Sequence, residues 1–196
     1  WANKGINMSD YLNSKINEGK TGSRAYVASP DGKTVISPRQ LQQLNIDLGG
    51  EGTTEELHSF LDEVSAHELG HQMGAVNASE KVPYGLNKND QNTIHRLMEE
   101  SGINLDDLNW HDRAAYERKA DLDALRWKMY NTIGYDYRTT PMTKEILQEY
   151  KNYIKENPIP SLVNDRNFEF FKDDKLIEFN NTVADATNEI GGDDLM

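Results

Sequence analysis

Apolar residues recur at helical spacing along most of this chain. The best-marked stripe follows an i, i+3, i+4, i+7 pattern and consists of Leu57, Phe60, Leu61 and Val64. Thr53 precedes the stripe and Glu56 follows it three residues later, which is the signature of a capping box at a helix start. The pattern predicts a helix that begins at Thr53 and ends between Met73 and Ala78.

The rest of the pattern predicts further helices and little strand. Helices are expected over residues 38–44, 90–100, 112–132, 143–157 and 174–188. β-forming residues over 25–28 and 34–36 flank a Ser-Pro-Asp-Gly turn sequence, which predicts a hairpin. Residues 168–171 predict one more short strand. We therefore expect an α+β fold that is mostly helical, with a small sheet near the N-terminus.

The length of 196 residues is enough for one ordinary domain with an appendage. The predicted organisation is an N-terminal arm or linker over 1–22, a domain over 23–190 (core 53–131, helical C-terminal part 143–190) and a flexible tail over 191–196. The chain begins with Trp1 rather than Met, which we interpret as the mark of a processed product or of one part of a larger protein or assembly.

Charge and composition argue against nucleic acid and anionic membranes as partners. The chain has 33 acidic and 21 basic side chains, for a net charge of −12, whereas nucleic-acid binding requires a basic surface. The same charge disfavours docking on anionic membranes. No apolar run approaches a membrane span and no signal peptide is visible, so we expect a soluble protein of undetermined compartment. With no cysteine, any zinc would be held by His, Asp or Glu.

The segment His67-Glu68-Leu69-Gly70-His71 is an H-E-x-x-H motif. It continues the apolar stripe of the predicted helix, so both histidines are expected to face inward, one turn apart. That spacing lets both imidazoles reach one metal ion, and Glu68 lies where it can take a proton from a zinc-bound water. The motif therefore predicts zinc-dependent hydrolysis, with a peptide bond as the expected target.

A hydrolytic zinc site needs a third protein ligand. In the three-histidine form of the motif this ligand would stand at position 77, but Asn77 is a poor zinc ligand. Glu117 and Asp121 share a face of a later helix. Glu117 can complete the ligand set, and Asp121 can accept a hydrogen bond from the far ring nitrogen of a ligating histidine. The competing acidic candidates for the third ligand are Glu100, Asp106, Asp107 and Asp123.

The segment H-E-L-G-H at 67–71, followed by E-R-K-A-D at 117–121, resembles the gluzincin class of zinc metallopeptidases, whose pattern is H-E-x-x-H and then E-x-x-A-D. The resemblance covers about residues 53–131. It implies a zincin-like fold in which the active-site helix packs on a second ligand-bearing helix. By this resemblance the base would be Glu68, the orienting carboxylate Asp121, and the Zn²⁺ ligands His67, His71 and Glu117. Zincin-like domains of phages and mobile elements have similar spacing.

Zinc hydrolases also need a donor that stabilises the developing oxyanion. The candidate donors are His111, Tyr84, Tyr135, Tyr137 and Arg138. The expected partner is a peptide or protein substrate. The alternative is a catalytically inactive zincin-like structural or interaction domain of a larger phage virion or mobile-element protein. A zinc site that served only stability would instead have a closed shell of four protein ligands.

Overall fold

The computed structural model describes residues 26–28, 34–36, 38–77 and 86–183. The predicted arm and the predicted tail lie outside these ranges. Within them the fold is mostly helical, as the sequence predicts. None of the described helices combines the length and the apolar character that a membrane span requires.

Eight α-helices make up most of the described chain. They are α1 (Pro38–Asp47), α2 (Thr54–Asn77), α3 (Lys88–Glu100), α4 (Trp110–Arg113), α5 (Ala115–Ile133), α6 (Lys144–Glu156), α7 (Leu162–Phe170) and α8 (Asp173–Thr182). A 3-10 turn, Leu105–Asp107, lies between α3 and α4.

Two three-residue strands precede the helices. β1 (Tyr26–Ala28) and β2 (Thr34–Ile36) pair antiparallel, with Val27 opposite Val35. The residues that connect them, including the predicted Pro-Asp-Gly turn, lie outside the described ranges, so the hairpin itself stays a prediction. β1 also contacts α2.

The start of α2 shows how its cap forms. The Thr53 hydroxyl oxygen accepts a hydrogen bond from the Glu56 amide at 3.3 Å. The Glu56 carboxylate reaches back and accepts from the amides of Gly52 at 3.0 Å and Glu51 at 2.9 Å. Gly52 has a φ of 69°, which L side chains rarely adopt, so glycine suits this turn. The capping prediction is confirmed, with the carboxylate reaching the residues before Thr53.

Helix α2 packs closely on α5. A Cβ added at Gly70 would lie 3.1 Å from an Asp123 carboxylate oxygen and 3.4 Å from the Cα of Ala120. The glycine of the H-E-x-x-H motif and the small Ala120 therefore let the two helices approach where the motif lies. Ahead of the motif, α2 packs against α1 through a small apolar cluster of Leu41, Phe60, Leu61 and Val64.

The predicted helix over 112–132 is divided in the structure. Ala114 has extended backbone angles (φ −65°, ψ 122°), which separates the short α4 from α5. The α4 segment starts earlier than predicted because the Asn109 side chain caps it, accepting a hydrogen bond from the Asp112 amide at 2.8 Å.

The strand predicted over 168–171 is wrong, because residues 162–170 form α7. Its N-terminus is capped by Ser161, whose hydroxyl oxygen accepts from the Asn164 amide at 3.0 Å. A carboxylate oxygen of Glu63 on α2 also accepts from the Leu162 amide at 3.1 Å. Val163, Asn167 and Phe170 are buried at i, i+4 and i+7 spacing, which is a helical face.

The main core lies between α3, α5, α6, α7 and α8. Its best-buried members include Ile94, Leu97, Met98, Leu122, Leu125, Met129, Leu147, Tyr150, Val163, Leu176 and Phe179. Helix α5 lies in this core and against α2 at the same time, so its side toward α2 is held by the main body of the fold.

Candidate metal centre

His67 and His71 lie on the side of α2 that packs against α5. His67 is 1% exposed, and the His71 side chain is 11% exposed. Their rings meet edge to face with centroids 4.7 Å apart, and their Nε2 atoms are 3.1 Å apart. Both histidines therefore face inward, as the apolar stripe predicts.

Glu117, in the first turn of α5, meets both histidines. Its Oε2 lies 3.0 Å from Nε2 of His67 and 3.2 Å from Nε2 of His71. The structure thus brings the two nitrogens of the motif and one carboxylate oxygen into a triangle of sides 3.0, 3.1 and 3.2 Å. Ligand atoms bound to a tetrahedral zinc at its usual bond lengths stand about 3.3 Å apart, close to these distances.

Asp121 lies one helical turn after Glu117 and contacts the opposite side of the His67 ring. Its Oδ1 is 2.7 Å from Nδ1 of His67. An ionised carboxylate can only accept a hydrogen bond, so Nδ1 of His67 carries a proton and donates it. In the neutral ring Nε2 is then the lone-pair nitrogen, and it faces Glu117 and His71.

The charge of His67 decides how the donors and acceptors of this cluster balance. With a neutral His67 ring, Nε2 of His67 and Oε2 of Glu117 are both acceptors 3.0 Å apart in a buried position, whereas a protonated ring donates from Nε2 to Glu117. Two lone pairs at that distance repel each other unless a proton or a cation lies between them. One cation accepted by all three atoms would relieve the repulsion, so this donor set fits a bound metal ion.

Glu68 completes the group on α2. It is 5% exposed, and one of its oxygens lies 4.0 Å from Nε2 of His67. The potential ligand atoms of His67, Glu68 and His71 lie within 4.8 Å of one another. Burial raises the pKa of Glu68 above its ordinary value, opposed by the nearby imidazoles and assisted by the Glu117 carboxylate. A carboxylate with a raised pKa is a better proton acceptor.

The other two carboxyl groups are shifted in the opposite direction. Burial would raise the pKa of Glu117, but hydrogen bonds from His111, His67 and His71 hold it well below its ordinary value. Burial likewise opposes ionisation of Asp121, yet Arg166 and His67 keep its pKa low. Both groups are therefore carboxylates near neutral pH.

Of the predicted oxyanion donors, His111 lies at the site. Its Nε2 is 3.0 Å from Oε2 of Glu117, and its Nδ1 is 3.5 Å from an Asp112 oxygen. The side chain is 32% exposed. The neighbouring Trp110 is 55% exposed, and its ring lies 5.7 Å from the His111 ring, centroid to centroid.

The remaining candidate oxyanion donors that the structure describes make other contacts. The Tyr135 hydroxyl donates to the carbonyl of Thr140 at 2.9 Å and accepts from Asn180. Tyr137 stacks under the Arg126 guanidinium, and Arg138 pairs with Asp136 at the surface. Tyr84 lies outside the described residues.

The competing third ligands also have other partners. Glu100 pairs with Arg96 and Lys175, whereas Asp106 and Asp107 are exposed in the 3-10 turn. Asp123 pairs with Lys119 and Arg126 beneath Gly70. Asn77 falls in the last turn of α2, and its side chain is outside the described part of the chain.

Sequence reasoning missed three residues of this region. Arg166 and Arg118 both pair with Asp121, at 2.7 and 3.2 Å. Tyr116 places its ring edge to face with His71, 5.6 Å from it, centroid to centroid. Arg118 and Tyr116 adjoin Glu117 and were within reach of a helical projection. Arg166 carries no local signal, because it meets Asp121 from a helix 45 residues later in the chain.

No protein-family model matches this chain, and neither the curated proteins nor the solved structures include a significantly similar one.

Proposed function

We propose that this protein is a zinc-dependent peptidase with a zincin-like fold. The observation that carries the proposal is the triangle formed by Nε2 of His67, Nε2 of His71 and Oε2 of Glu117, with the Glu68 carboxylate beside it. Two imidazoles and one carboxylate, with a fourth position left for water, are a usual ligand set of hydrolytic zinc.

Zinc is favoured over harder cations by the donor set. Imidazole nitrogens suit zinc and other late transition metals, whereas magnesium and calcium prefer oxygen ligands. The hydrogen bond from Nδ1 of His67 to Asp121 is also the outer contact that orients a metal-ligating histidine. When bound, zinc would lower the pKa of a coordinated water and polarise the substrate carbonyl.

The protein side chains then have separate tasks. Glu68 accepts a proton from the attacking water and delivers it to the leaving amine nitrogen. Burial raises the pKa of Glu68, which favours this acceptance. His111 is partly exposed beside Glu117, where its Nε2–H can also reach an oxyanion. Asp121 keeps the Nε2 lone pair of His67 directed toward the metal position.

The zincin-like assignment and the peptide substrate rest on further features. Helix α2, which carries the motif, packs on α5, which carries Glu117 and Asp121, and β1 contacts α2. An extended peptide can add to a strand edge, so the predicted hairpin offers a substrate-binding edge. The net charge of −12 favours a polypeptide over a nucleic acid as the substrate.

Glu68→Gln tests the proposal. The variant should bind zinc with an affinity close to that of the unsubstituted protein and should lose hydrolysis of a mixed-sequence peptide library, followed by mass spectrometry. Glu99→Gln, an exposed glutamate on α3, is the matched control and should leave both properties unchanged. Undiminished hydrolysis by Glu68→Gln would disprove the assigned role.

Metal analysis separates the alternatives. Purified protein should contain zinc in stoichiometric amount and lose it to a chelator. Tight zinc binding with no cleavage of any peptide would favour an inactive zincin-like domain. Failure to bind zinc would overturn the proposed function.

A further inference from the structure

Arg166, on α7, contacts the carboxylate that orients His67. Its Nη2 lies 2.7 Å from Oδ1 of Asp121. The same oxygen accepts the hydrogen bond from Nδ1 of His67, also at 2.7 Å. One buried oxygen atom thus links the guanidinium to the imidazole of the H-E-x-x-H motif.

The Asp121 carboxylate is flanked by a second arginine. Nη2 of Arg118 lies 3.2 Å from Oδ2 of Asp121, and both side chains are 1% exposed. The guanidinium of Arg118 also lies over the Phe170 ring, 4.6 Å from its centroid. Arg118 supplies a second positive charge from the Oδ2 side, so removal of Arg166 would leave Arg118 in place and take away the partner that contacts Oδ1.

Helix α7 also contacts the backbone at Asp121. The Asn167 side-chain amide donates to the carbonyl oxygen of Asp121 at 3.1 Å and to that of Val163 at 2.9 Å. Asn167 is 2% exposed. Arg166 and Asn167 therefore contact the side chain and the main chain of the same residue, which fixes α7 against this turn of α5.

We propose that Arg166 is a positioning residue for the metal site. It holds Oδ1 of Asp121 where this atom accepts from Nδ1 of His67, and so keeps the Nε2 lone pair of His67 directed at the metal position. The inference rests on the proposed function, because it assigns Arg166 to that site. It makes α7, which lies outside the H-E-x-x-H and E-x-x-A-D segments, part of the metal centre.

Arg166→Gln should weaken zinc binding about tenfold, since loss of an outer partner of a ligating histidine typically weakens metal affinity by about 10- to 100-fold. Arg166→Lys should recover part of that loss, because lysine restores the positive charge but lacks the planar guanidinium group. The measurement is competition for zinc against a chelating dye, with the melting temperature of the metal-free protein recorded in parallel.

Arg126→Gln is the matched control. Arg126 is another buried arginine, 2% exposed, and it donates to the side chain and carbonyl of Asn180. Its replacement should lower the melting temperature while zinc affinity stays within about threefold of the unsubstituted protein. The control separates a loss of general stability from a loss of ligand orientation.

A double-substitution cycle gives the decisive result. In an Asp121→Ala background, Arg166→Gln should cause no further loss of zinc affinity, because the carboxylate it positions is gone. If Asp121→Ala does not fold, the zinc affinities of Arg166→Gln and Arg166→Lys test the inference instead. Unchanged zinc affinity in Arg166→Gln, or additive losses in the cycle, would overturn the inference while the proposed function stands. Absence of zinc binding by the unsubstituted protein would overturn both.

Discussion

Two buried polar clusters lie one turn apart on α2, and they differ in how their hydrogen bonds balance. In the first, the Glu63 carboxylate, 1% exposed, accepts from the Ser161 hydroxyl, the Leu162 amide at 3.1 Å and the Lys128 ammonium at 3.2 Å. In the second, Oε2 of Glu117 lies 3.0–3.2 Å from Nε2 of His67, His71 and His111, and each of these nitrogens donates only where its ring carries a proton. The first cluster pairs an acceptor with fixed donors, whereas the second joins a carboxylate to nitrogens that can either donate a proton or bind a cation.

The difference separates a structural cluster from a site. Burial of a charged group is compatible with either role, because Glu63 is buried as deeply as His67. A cluster whose donors and acceptors are paired stabilises the helices it joins and needs nothing more. A buried cluster of imidazoles and carboxylates is satisfied by protons on the rings or by a cation in their place. This exchangeable chemistry, more than the burial, points to a metal ligand.

Both clusters connect α2 to the same two helices, α5 and α7. Glu63 contacts Lys128 of α5 and the capped start of α7. The second cluster contacts Glu117 and Asp121 of α5, with Arg166 of α7 behind Asp121. We therefore expect substitutions in the two clusters to have different effects on stability and on metal affinity.

Glu117→Gln should produce the largest effect. Replacement of the proposed anionic ligand by a neutral amide is expected to weaken zinc binding more than 100-fold, measured by competition with a chelating dye. Burial would raise the pKa of Glu117, but hydrogen bonds from the three histidines hold it low, so the carboxylate stabilises the metal-free fold near neutral pH. The free energy of unfolding measured in urea should therefore fall by about 1 kcal/mol in the variant. Unchanged zinc affinity together with that loss of stability would make this cluster an ordinary structural one.

Glu63→Gln should lower stability without changing zinc binding. It removes the charge that accepts from Ser161, Leu162 and Lys128, and hydrogen bonds to a charged group contribute about 1.5–3 kcal/mol. We expect a loss of about 2 kcal/mol in the free energy of unfolding, measured in urea. The extra stability conferred by saturating zinc should equal that of the unsubstituted protein, because the proposed ligands are untouched. If saturating zinc added no stability to Glu63→Gln, the two clusters would not be independent.

Local spacing was enough to predict the parts of the site that lie on single helices. The capping pair of Thr53 and Glu56 and the apolar stripe predicted α2 and the inward face of its histidines. The i, i+4 relation of Glu117 and Asp121 predicted that they share one face of a helix, and both meet His67. These relations follow from helix geometry alone.

Contacts between distant segments could not be predicted in this way. Phe168 to Phe171 has the composition of a strand, but the cap supplied by Ser161 and Glu63 makes α7 a helix, and Glu63 lies 98 residues before Ser161. The same misassignment hid Arg166, whose position beside Asp121 depends on α7. The break at Ala114 was missed because alanine favours helix, and only the packed chain shows it extended.

Gly70→Ala should have the smallest effect, and it would act on the helix approach that both clusters share. The added methyl would meet an Asp123 oxygen at 3.1 Å and the Cα of Ala120 at 3.4 Å. Asp123 is held by Lys119 at 2.7 Å, so it has little freedom to move away. Overpacking of this kind costs about 1–3 kcal/mol, against a gain of about 0.5–1 kcal/mol from replacing glycine inside a helix.

The expected net change is a loss of about 1 kcal/mol in the free energy of unfolding, with a loss of a few fold in zinc affinity, because α2 moves away from Glu117. Gly70→Ser, which is larger, should lower both quantities further. Urea unfolding and zinc competition test whether Gly70→Ser lowers both quantities more than Gly70→Ala does. If Gly70→Ala were more stable than the unsubstituted protein and bound zinc equally well, the close approach of α2 and α5 would not be what brings His67 and His71 to Glu117.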